Sequence, residues 1–498
     1  MPEREVKLEA PPGFRFPDLH GVVEGVSAVP RDLERLRAEY FDTVDLRLAR
    51  WGASLRHRQP EGWTVKLPTE GSGPLLRRDE RSFAGSPRRP PADALDLLTA
   101  FVRGSAVAPV AVIRTVRRSV DLVDGAGRSS AVVTDDEVSV MDGHRVASRF
   151  RELEVELAPD LDDDAGATLL EPVVERLLEA GAGEPSPTAK VARALGPAAQ
   201  APPDVQLPTP DASGPAGEVI RHALGVSTLR LVRHDPGVRI GEDDEAVHQA
   251  RVATRRLRSD LRTFGPLLDP AWSDPLREEL RWIADLLGEV RDAEVLLARL
   301  LDRATDLPAE DRTAAERLTG RLRDRRAGLR GRLLAAMRSD RYTALLDRLV
   351  EAAREPALAS EADAPSSEAL PPLVARAWRK LRRDVRGLGE SPADEALHQV
   401  RIRAKRARYA AEAVAPGIGA GPDALADAIS RVQDELGELQ DAVVAEAWLR
   451  QAAGRTGPRT AFVAGLLVGA EREAALRARA AWPRAWRKAS KGKLRAWL

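Results

Sequence analysis

Two segments of the chain place several carboxylates on one face of a strand. The side chains of a strand alternate between its faces, so Glu3, Glu5 and Lys7 point the same way. The pattern returns later as three carboxylates, Glu152, Glu154 and Glu156. Such a face is costly against an apolar core and suits a wet cavity that holds a metal ion and an anion. One strand of this kind alone is typical of a solvated surface, but the two together favour the cavity.

Basic side chains occupy the predicted strands between these acidic segments: Arg56, Arg58, Lys66, Arg114 and Arg117. Fixed Arg and Lys neutralise the charges of a polyphosphate, and Arg binds two oxygens at once. The carboxylates would hold Mg²⁺ or Mn²⁺, which prefer oxygen ligands and polarise a phosphoryl group for attack by water. The sequence has no Walker-type glycine loop, so side chains must hold the phosphates. Arg114 and Arg117 differ in strand parity, so both face inward only across a bulge.

The composition of the chain excludes several classes of protein. Its 498 residues predict two or three domains. The absence of cysteine excludes disulfides, thiolate catalysis and Cys-type zinc sites. No long apolar run occurs, and the charged N-terminus lacks the apolar stretch of a secretory signal, so we expect a cytoplasmic protein with no membrane partner. Aromatic residues make up 4%, which argues against base stacking and makes nucleic acid an unfavoured partner.

The first part of the chain, residues 1–195, has the pattern of an antiparallel β domain. Turn-forming residues separate the predicted strands, which are Glu3–Ala10, Arg37–Asp42, Ser54–Gln59, Trp63–Leu67, Leu75–Phe83, Val110–Leu122, Ser129–Thr134, Val138–Met141 and Ala147–Leu157. Short helices are expected at Asp93–Val102 and Thr168–Ala180. Charged inward faces favour a closed sheet over a sandwich, because a sandwich would bury those charges. A linker rich in Pro, Ala, Gly and Asp follows over residues 196–217.

The second part, residues 218–498, has leucine and alanine at helical spacing and contains an internal duplication. Val247-His248-Gln249-Ala250-Arg251 returns as Leu397-His398-Gln399-Val400-Arg401, and Leu287-Gly288-Glu289 returns as Leu436-Gly437-Glu438. The offset of about 150 residues indicates a duplicated subdomain rather than a solenoid. The copies are predicted to span about 218–355 and 373–498, joined by Pro356–Pro372.

A helix over Val247–Phe264 would carry a stripe of basic side chains. His248, Arg251, Arg255, Arg258 and Arg262 lie at offsets 0, 3, 7, 10 and 14, which places them on one face. The second copy repeats the stripe with His398, Arg401, Lys405 and Arg408. Stacked like charges repel one another, so two matched copies favour a surface that binds an anion over a merely solvated face.

The motifs of residues 1–200 resemble the CYTH superfamily of triphosphate tunnel metalloenzymes. The resemblance is carried by Glu3-x-Glu5-x-Lys7, Arg56-x-Arg58, Lys66, Asp135-Asp136-Glu137-Val138 and Glu152-x-Glu154-x-Glu156. It implies an eight-stranded antiparallel tunnel, dependence on Mg²⁺ or Mn²⁺, and hydrolysis of triphosphate compounds. The metal ligands that it implies are Glu3, Glu5, Asp136, Glu152 and Glu154. The residues that it implies for substrate phosphates are Lys7, Arg56, Arg58, Lys66, Arg114, Arg117 and Lys190. Those that it places directly in catalysis are Glu3, Glu5, Lys7 and Lys66.

The duplicated helical part resembles the CHAD domain, which takes its name from histidines in a helical fold. The resemblance implies an all-α domain of two four-helix bundles related by pseudo-symmetry, which binds inorganic polyphosphate through its basic faces. The matching residues are His248, Arg251, Arg255, Arg256, Arg258, His398, Arg401, Lys405, Arg406 and Arg408. A CYTH domain followed by a CHAD domain is a recurrent arrangement, so each resemblance supports the other.

We therefore predict a metal-dependent triphosphatase whose helical domain binds inorganic polyphosphate. Inorganic triphosphate is the favoured substrate, while thiamine triphosphate, ATP and an adenylate cyclase activity need a similar charged tunnel and stay open. The alternative is a non-catalytic protein that associates with polyphosphate granules. The choice between Mg²⁺ and Mn²⁺ and the oligomeric state stay open as well.

Overall fold

The computed structural model describes residues 3–68 and 76–498, and for Glu3 and residues 76–78 it describes the backbone alone. The chain forms two compact units, Met1–Asp204 and Val205–Leu498. The first is mostly β and the second is helical. Glu3 thus lies in a described strand while its side chain is outside the described residues. The domain bounds 1–195, 196–217 and 218–498 stay a prediction.

The described part of the first unit contains one antiparallel sheet. Its strands are β1 (Glu3–Ala10), β2 (Ser27–Pro30), β3 (Glu34–Asp42), β4 (Ser54–Arg58), β5 (Gly62–Pro68), β6 (Leu76–Phe83), β7 (Ala108–Val123), β8 (Ser129–Asp142) and β9 (Arg145–Leu157). Eight of these close into a ring in the order β1-β9-β8-β7-β3-β4-β5-β6, with β6 paired back to β1. This confirms the predicted eight-stranded tunnel. The short strand β2 was not predicted, and it pairs with β7 beyond the end of β3.

Two predicted strands, Ser129–Thr134 and Val138–Met141, are one continuous strand. They form β8, which pairs with β7 and β9 along its length. The residues between them have the polarity of a turn, but the sheet satisfies their charges. Asp135 accepts two hydrogen bonds of 2.6 Å from Arg151, and Asp136 faces the interior of the tunnel. The acidic run therefore continues the strand instead of interrupting it.

Helices cover parts of the sheet and fill one region of its interior. They are α1 (Arg47–Arg50), α2 (Ala92–Val102), α3 (Asp163–Glu179) and α4 (Lys190–Leu195), followed by a 3-10 turn at Pro197–Gln200. Helix α3 begins five residues before the predicted Thr168, because the side chain of Asp162 caps it by accepting a 2.7 Å hydrogen bond from the Ala165 amide.

A large apolar core of the first unit lies outside the tunnel. On β9, Leu153 and Val155 alternate with the carboxylates and are fully buried. They join Val173 and Leu177 of α3 in one apolar cluster. The prediction that the apolar residues of this strand face away from the carboxylates is confirmed. The inner face of the strand is therefore left for charged side chains.

Helix α4 packs against the inner faces of β3, β7 and β8. Val191 shares an apolar cluster with Ala38, Ile113 and Val138, which come from those three strands. This contact fixes the start of the helix beside the tunnel interior. Lys190, the first residue of α4, lines the cavity as a result.

The second unit is all-α, as predicted. Its helices are α5 (Ala216–Ile240), α6 (Asp244–Thr263), α7 (Pro270–Thr305), α8 (Ala309–Met337), α9 (Asp340–Arg354), α10 (Ser366–Ala369), α11 (Pro371–Arg386), α12 (Asp394–Ile418), α13 (Ala420–Ala453) and α14 (Pro458–Ala489). Helices α6 and α12 carry the two basic stripes, and α7 and α13 carry the two Leu-Gly-Glu segments. No helix within residues 3–68 and 76–498 is both long and apolar enough to cross a membrane.

The two copies of the helical repeat share an apolar core. Leu300 of α7 and Leu318 of α8 belong to one cluster with Leu449 of α13 and Leu467 of α14, and all four side chains are buried. The equivalent helices of the copies therefore pack on one another, which holds the basic helices α6 and α12 in a fixed relation.

Candidate active site and central basic cluster

The tunnel encloses a cavity of about 380 Å³. The predicted site residues that line it are Lys7, Arg56, Arg58, Lys66, Arg117, Glu154 and Lys190. They come from five strands and from helix α4, so it is the closure of the sheet that brings them together. The cavity is thus charged on its walls and shielded by the surrounding strands.

Three carboxylates from adjacent strands form a candidate metal centre. Asp136 on β8 and Glu152 on β9 are register partners, and Glu154 follows on the same face of β9. One oxygen from each lies within 4.8 Å of the others. A set of largely buried oxygen donors suits the hard cations Mg²⁺ and Mn²⁺. These residues therefore fit the divalent metal that the sequence predicts.

Glu5 is connected to the candidate metal centre through Lys7, which contacts both Glu5 and Glu154. Its side chain is buried, and its Oε2 lies 3.0 Å from Lys7 Nζ. The same ammonium group contacts Glu154, so Lys7 bridges β1 and β9. The side chain of Glu3, the other predicted ligand on β1, lies outside the described residues.

Lys190 places its ammonium group among the carboxylates. Its Nζ lies 2.5 Å from Asp136, 3.1 Å from Glu152 and 3.7 Å from Glu154. Burial acts to raise the pKa of Glu154, but Lys190 and the other cations of the cavity outweigh it and hold that pKa well below its ordinary value. At Glu152 the effect of burial is larger than that of Lys190, so the pKa of Glu152 is raised. The centre is therefore a place where positive charge is strongly favoured.

Basic side chains on β4 and β5 form another wall of the cavity. Lys66 Nζ lies 2.8 Å from Glu80, and Arg56 contacts the same carboxylate at 3.6 Å. Arg58, two residues farther along β4, contacts Glu61. These cations are held by carboxylates that a phosphate could replace.

The structure does not bring Arg114 to the cavity. Strand β7 is regular here, pairing Arg114 with Ser139 and Arg117 with Asp136, so the two arginines face opposite sides. Arg117 donates hydrogen bonds of 2.8 and 2.6 Å to Asp136, whereas Arg114 is exposed. The placement of Arg114 among the phosphate binders is corrected accordingly, because the bulge that it required is absent from this part of β7.

Among the residues of the cavity wall that the sequence did not predict for the site, Glu80 and Tyr40 interact with the predicted cations. Glu80 is the register partner of Lys66, and Tyr40 is the register partner of Arg56. Burial of Arg56 is offset by its interactions with Tyr40 and then with Glu80, so the pKa of Arg56 is raised. Strand parity could have indicated both residues, but only once the pairing of β4 with β3 and of β5 with β6 was known.

Four cations of α6 and α12 form what we call the central basic cluster: Arg251, Arg255, Arg401 and Lys405. Burial, followed by Arg401, Arg255 and Arg251, lowers the pKa of Lys405 to about 7. The pKa values of Arg255 and Arg401 are lowered as well, chiefly by burial and in both cases also by Arg251. Compensation by carboxylates is partial, since the 2.9 Å contact of Arg251 with Asp292 lies at an exposed side chain. An anion would relieve this repulsion.

The glycines of the duplicated Leu-Gly-Glu segments face the arginines of the central basic cluster. A Cβ atom added at Gly288 would lie 3.6 Å from Arg251 Nε, and one added at Gly437 would lie 3.7 Å from Arg401 Nε. These are ordinary contact distances, so a first carbon fits but a larger side chain would take the space of the guanidinium group. The glycines therefore allow each arginine to lie across the neighbouring helix.

Inorganic polyphosphate is the ligand that the sequence predicts for this cluster, and we expect the replacement of Gly288 with leucine to weaken its binding about tenfold, because the larger side chain displaces one charge-assisted contact of Arg251. Calorimetric titration with long-chain polyphosphate measures the effect. The matched control is Gly320→Leu on α8, where an added Cβ meets nothing within 4 Å. Equal losses in the two variants would contradict the role of Gly288.

The two histidines of the stripes have different partners. His398 Nδ1 lies 2.7 Å from Oε1 of Gln440 on α13. His248 instead faces Arg291 on α7, and burial together with this arginine lowers the pKa of His248. The duplication has therefore preserved the histidines and changed their electrostatic surroundings.

Two of the remaining predicted polyphosphate binders adjoin the central basic cluster, because Arg255, Arg256 and Arg408 all lie against the ring of Tyr409. Arg256 and Arg408 both contact Glu412, and their guanidinium groups lie 4.4 and 5.0 Å from the ring centroid of Tyr409. Arg258 lies farther along α6 than Arg255 does. Arg406 lies on α12, on a different face from Arg401 and Lys405. The fold thus keeps Arg256 and Arg408 beside the central basic cluster and separates Arg258 and Arg406 from it.

Comparison with known proteins agrees with this division of the chain. The CYTH domain matches residues 1–186 and the CHAD domain matches residues 222–450. The uncharacterized protein Rv2226 of Mycobacterium tuberculosis (strain ATCC 25618 / H37Rv) is 35% identical, over 94% of this chain and 93% of the relative. Among solved structures, PptA from Streptomyces chartreusis is 28% identical with a TM-score of 0.46, over 55% of this chain and 99% of that chain. The CHAD domain from the plant Ricinus communis is 26% identical with a TM-score of 0.47, over 58% of this chain and 96% of that chain.

The chain belongs to the proteins that join a CYTH domain to a CHAD domain. The charged tunnel lies within the range of the first domain, and the central basic cluster lies within the range of the second. The family and the geometry together support a function related to triphosphates and polyphosphate.

Proposed function

We propose that the first unit hydrolyses triphosphates in a metal-dependent reaction, with inorganic triphosphate as the favoured substrate. The observation that carries the proposal is a cavity of about 380 Å³ within the ring of strands, lined by several fixed cations and by Glu154, which belongs to the carboxylate centre. Cations neutralise the phosphate charges, while carboxylates can hold the metal. A cavity shielded by the sheet also limits the access of bulk water, which strengthens these interactions.

The residues of the cavity have distinct parts in this reaction. Asp136, Glu152 and Glu154 would hold the divalent metal, which when bound polarises the phosphoryl group for attack by water. Lys7 and Lys190, which pair with these carboxylates, would bind the phosphate oxygens of the substrate. The cations that face the centre from the other strands hold the rest of the substrate: Arg56, Arg58, Lys66 and Arg117.

Replacing Arg117 with glutamine should lower triphosphate hydrolysis about 100-fold, because it removes a cation that is hydrogen-bonded inside the charged cavity. The matched control is Arg114→Gln, a loss of the same charge from the opposite face of the same strand. Phosphate release under saturating substrate measures both. A loss of comparable size in the Arg114 variant would contradict the assignment of Arg117 to the cavity.

The proposal is tested with the purified full chain. We expect phosphate release from inorganic triphosphate in the presence of Mg²⁺ or Mn²⁺ and none after addition of a chelator. Thiamine triphosphate and ATP, assayed with both metals, determine the range of substrates. The proposal fails if no triphosphate in the panel is hydrolysed with either metal.

We further propose that the second unit binds inorganic polyphosphate, at the central basic cluster, and thereby holds the protein at cytoplasmic polyphosphate granules. The support is the mutual repulsion of Arg251, Arg255, Arg401 and Lys405, which an extended polyanion would relieve. Competition between polyphosphate and single-stranded RNA at fixed salt separates this ligand from nucleic acid. Binding of polyphosphate without hydrolysis of any triphosphate would favour the alternative of a non-catalytic granule protein.

A further inference from the structure

An unpaired stretch of strand edge lies in the first unit, where β9 extends beyond the end of β1. Strand β1 ends at Ala10, whose register partner on β9 is Arg151. Two prolines follow, Pro11 and Pro12, and proline has no N–H with which to continue a ladder. Within the described part of the chain, residues 145–150 of β9 therefore pair with β8 alone. The position beside them that a longer β1 would take borders a cavity.

This edge cavity has a volume of about 740 Å³, which is within the range of sites that hold ligands. It is lined by Arg149, Phe150 and Arg151 of β9 together with Ala10 and Pro12 at the end of β1. Strand β9 contributes residues of both parities, because the cavity lies at the edge of the sheet rather than on one face. Every second residue of an antiparallel strand directs both its N–H and its C=O to the same edge. A free edge beside a cavity can therefore accept an added strand.

The edge cavity carries one positive charge that is not compensated. With one exception, the charged side chains that line it are paired with an opposite charge: Glu9 with Arg193, Glu137 with Arg118, and Arg151 with Asp135. The exception is Arg149, which is exposed and has no acidic partner among the described residues. A carboxylate placed beside Arg149 would therefore gain a charge-assisted contact.

A row of arginines on the outer face of the sheet strengthens this preference for a carboxylate. Arg149 is the register partner of Ser139, Ser139 that of Arg114, and Arg114 that of Arg37. Register partners share a face, so the three arginines lie in one line across four strands. All three are exposed, and none forms an ion pair with a described residue. Like charges on neighbouring strands repel one another, which favours a negative side chain at the next position of the row.

The opposite face of the same edge is apolar. Phe150 has the other strand parity from Arg149, and it packs against the apolar cluster that contains Val191 of α4. The guanidinium group of Arg193 lies 5.2 Å from the centroid of the Phe150 ring, and this arginine is already paired with Glu9 at 2.5 Å. An apolar side chain beside Phe150 would therefore bury apolar area without meeting an unpaired charge.

We propose that a short extended segment of a partner protein binds as an added strand at the free edge of β9, with an acidic side chain beside Arg149 and apolar side chains before and after it. Successive residues of a strand face opposite sides, so the acidic residue meets the outer row of arginines while its neighbours turn toward the face of Phe150. Main-chain hydrogen bonds to β9 supply affinity, and the two kinds of side chain supply specificity. A second copy of this chain is a less favourable occupant, because pairing two β9 edges would bring their arginines together.

The probe is an end-capped pentapeptide with glutamate at its centre and valine on each side of it, titrated into the full chain at fixed ionic strength. We expect saturable binding at millimolar peptide and slower hydrogen exchange of a backbone amide within residues 148–150. Arg149→Glu should weaken the binding of this probe at least about tenfold, because it replaces a charge-assisted contact with repulsion. The same variant should gain affinity for a pentapeptide that carries lysine in place of the glutamate.

The matched control is Arg145→Glu, the same change of charge on the same strand. Arg145 is exposed and does not line the edge cavity, so affinity for the glutamate probe should stay within about twofold of that of the original protein. Thermal melting verifies that both variants are folded. Two further probes carry N-methyl groups on alternate residues and so remove the N–H donors that face one edge or the other. One of the two should lose binding if the peptide pairs with β9 through its main chain.

Several results would overturn the proposal. One is a glutamate probe that does not bind, and another is an equal loss of affinity in the Arg149 and Arg145 variants. Undiminished binding of both methylated probes would show that no strand is added. Protection of residues 148–150 that rises with protein concentration in the absence of peptide would assign the free edge to a second copy of the chain instead of a partner protein.

Discussion

Replacing Glu154 with glutamine should lower triphosphate hydrolysis by at least about 100-fold, the largest effect expected of a single substitution in the tunnel. Glu154 contributes an oxygen to the candidate metal centre, and it contacts Lys7, Lys190 and Arg117. Glutamine has nearly the same shape but lacks the charge that attracts the metal and the ammonium groups. Phosphate release over a range of Mn²⁺ concentrations measures the loss, and electron paramagnetic resonance measures the bound Mn²⁺ directly.

The matched control for this variant is Glu137→Gln. Glu137 lies on the neighbouring strand β8 and contacts Arg118, and its side chain is exposed. The Glu137→Gln substitution removes the same charge from the outside of the tunnel, so the rate of hydrolysis should stay within about twofold of that of the original protein. Full activity and full Mn²⁺ binding in the Glu154 variant would show that the carboxylate triad is not the metal centre.

Polyphosphate affinity should fall about 50-fold between pH 7 and pH 9, because Lys405 must take up a proton to bind the anion. Its pKa, lowered from 10.5 to about 7, leaves about 1% of the free protein charged at this position at pH 9. Arg401 on the same helix and Arg251 and Arg255 on α6 face the ammonium group, and Asp441 on α13 only partly offsets them. A bound polyanion reverses this balance and returns the pKa toward its ordinary value. Titrations with long-chain polyphosphate at fixed ionic strength measure the change.

Two variants separate Lys405 from other titrating groups. Lys405→Arg keeps the charge at every pH in this range, so it should bind tightly and lose most of the pH dependence. Lys405→Met should bind weakly and also without strong pH dependence. A steep dependence that persists in both variants would assign the proton to another group. Without polyphosphate the folded lysine binds fewer protons than the unfolded chain between pH 7 and 10, so stability should rise with pH in that window.

Strand parity predicted much of the tunnel. The alternation at Glu152 and Glu154 fixed which face carries charge, and the apolar residues between them indicated the outer core. Parity also showed that Arg114 and Arg117 could not both face inward without a bulge, and the regular strand decides in favour of Arg117. The sequence pattern of a single strand was therefore sufficient to predict which face of that strand each residue occupies.

The sequence pattern within a strand does not predict which strands pair with one another. Glu80 belongs to the cavity because β6 lies beside β5 and sets it opposite Lys66, and no spacing within β6 reveals this. The short strand β2 has few residues and pairs only at the end of β7, so it leaves little signal. In the helical unit the spacing indicated the basic stripe of α6, but Arg255 of that stripe lies in the central basic cluster while Arg262 faces α11 and α12, and this division depends on how those helices pack.

The position of a hydrophobic core on the outside of the tunnel has a consequence for how such proteins diversify. Exchanging one side chain of the bore for another leaves the apolar area buried between α3 and the sheet unchanged, and that area supplies the main stabilising free energy of this layer. Selectivity for different anions can therefore change through inward-facing positions while the scaffold retains its melting behaviour. In natural evolution and in laboratory libraries, the residues inside the tunnel can therefore change with little effect on the stability of the fold.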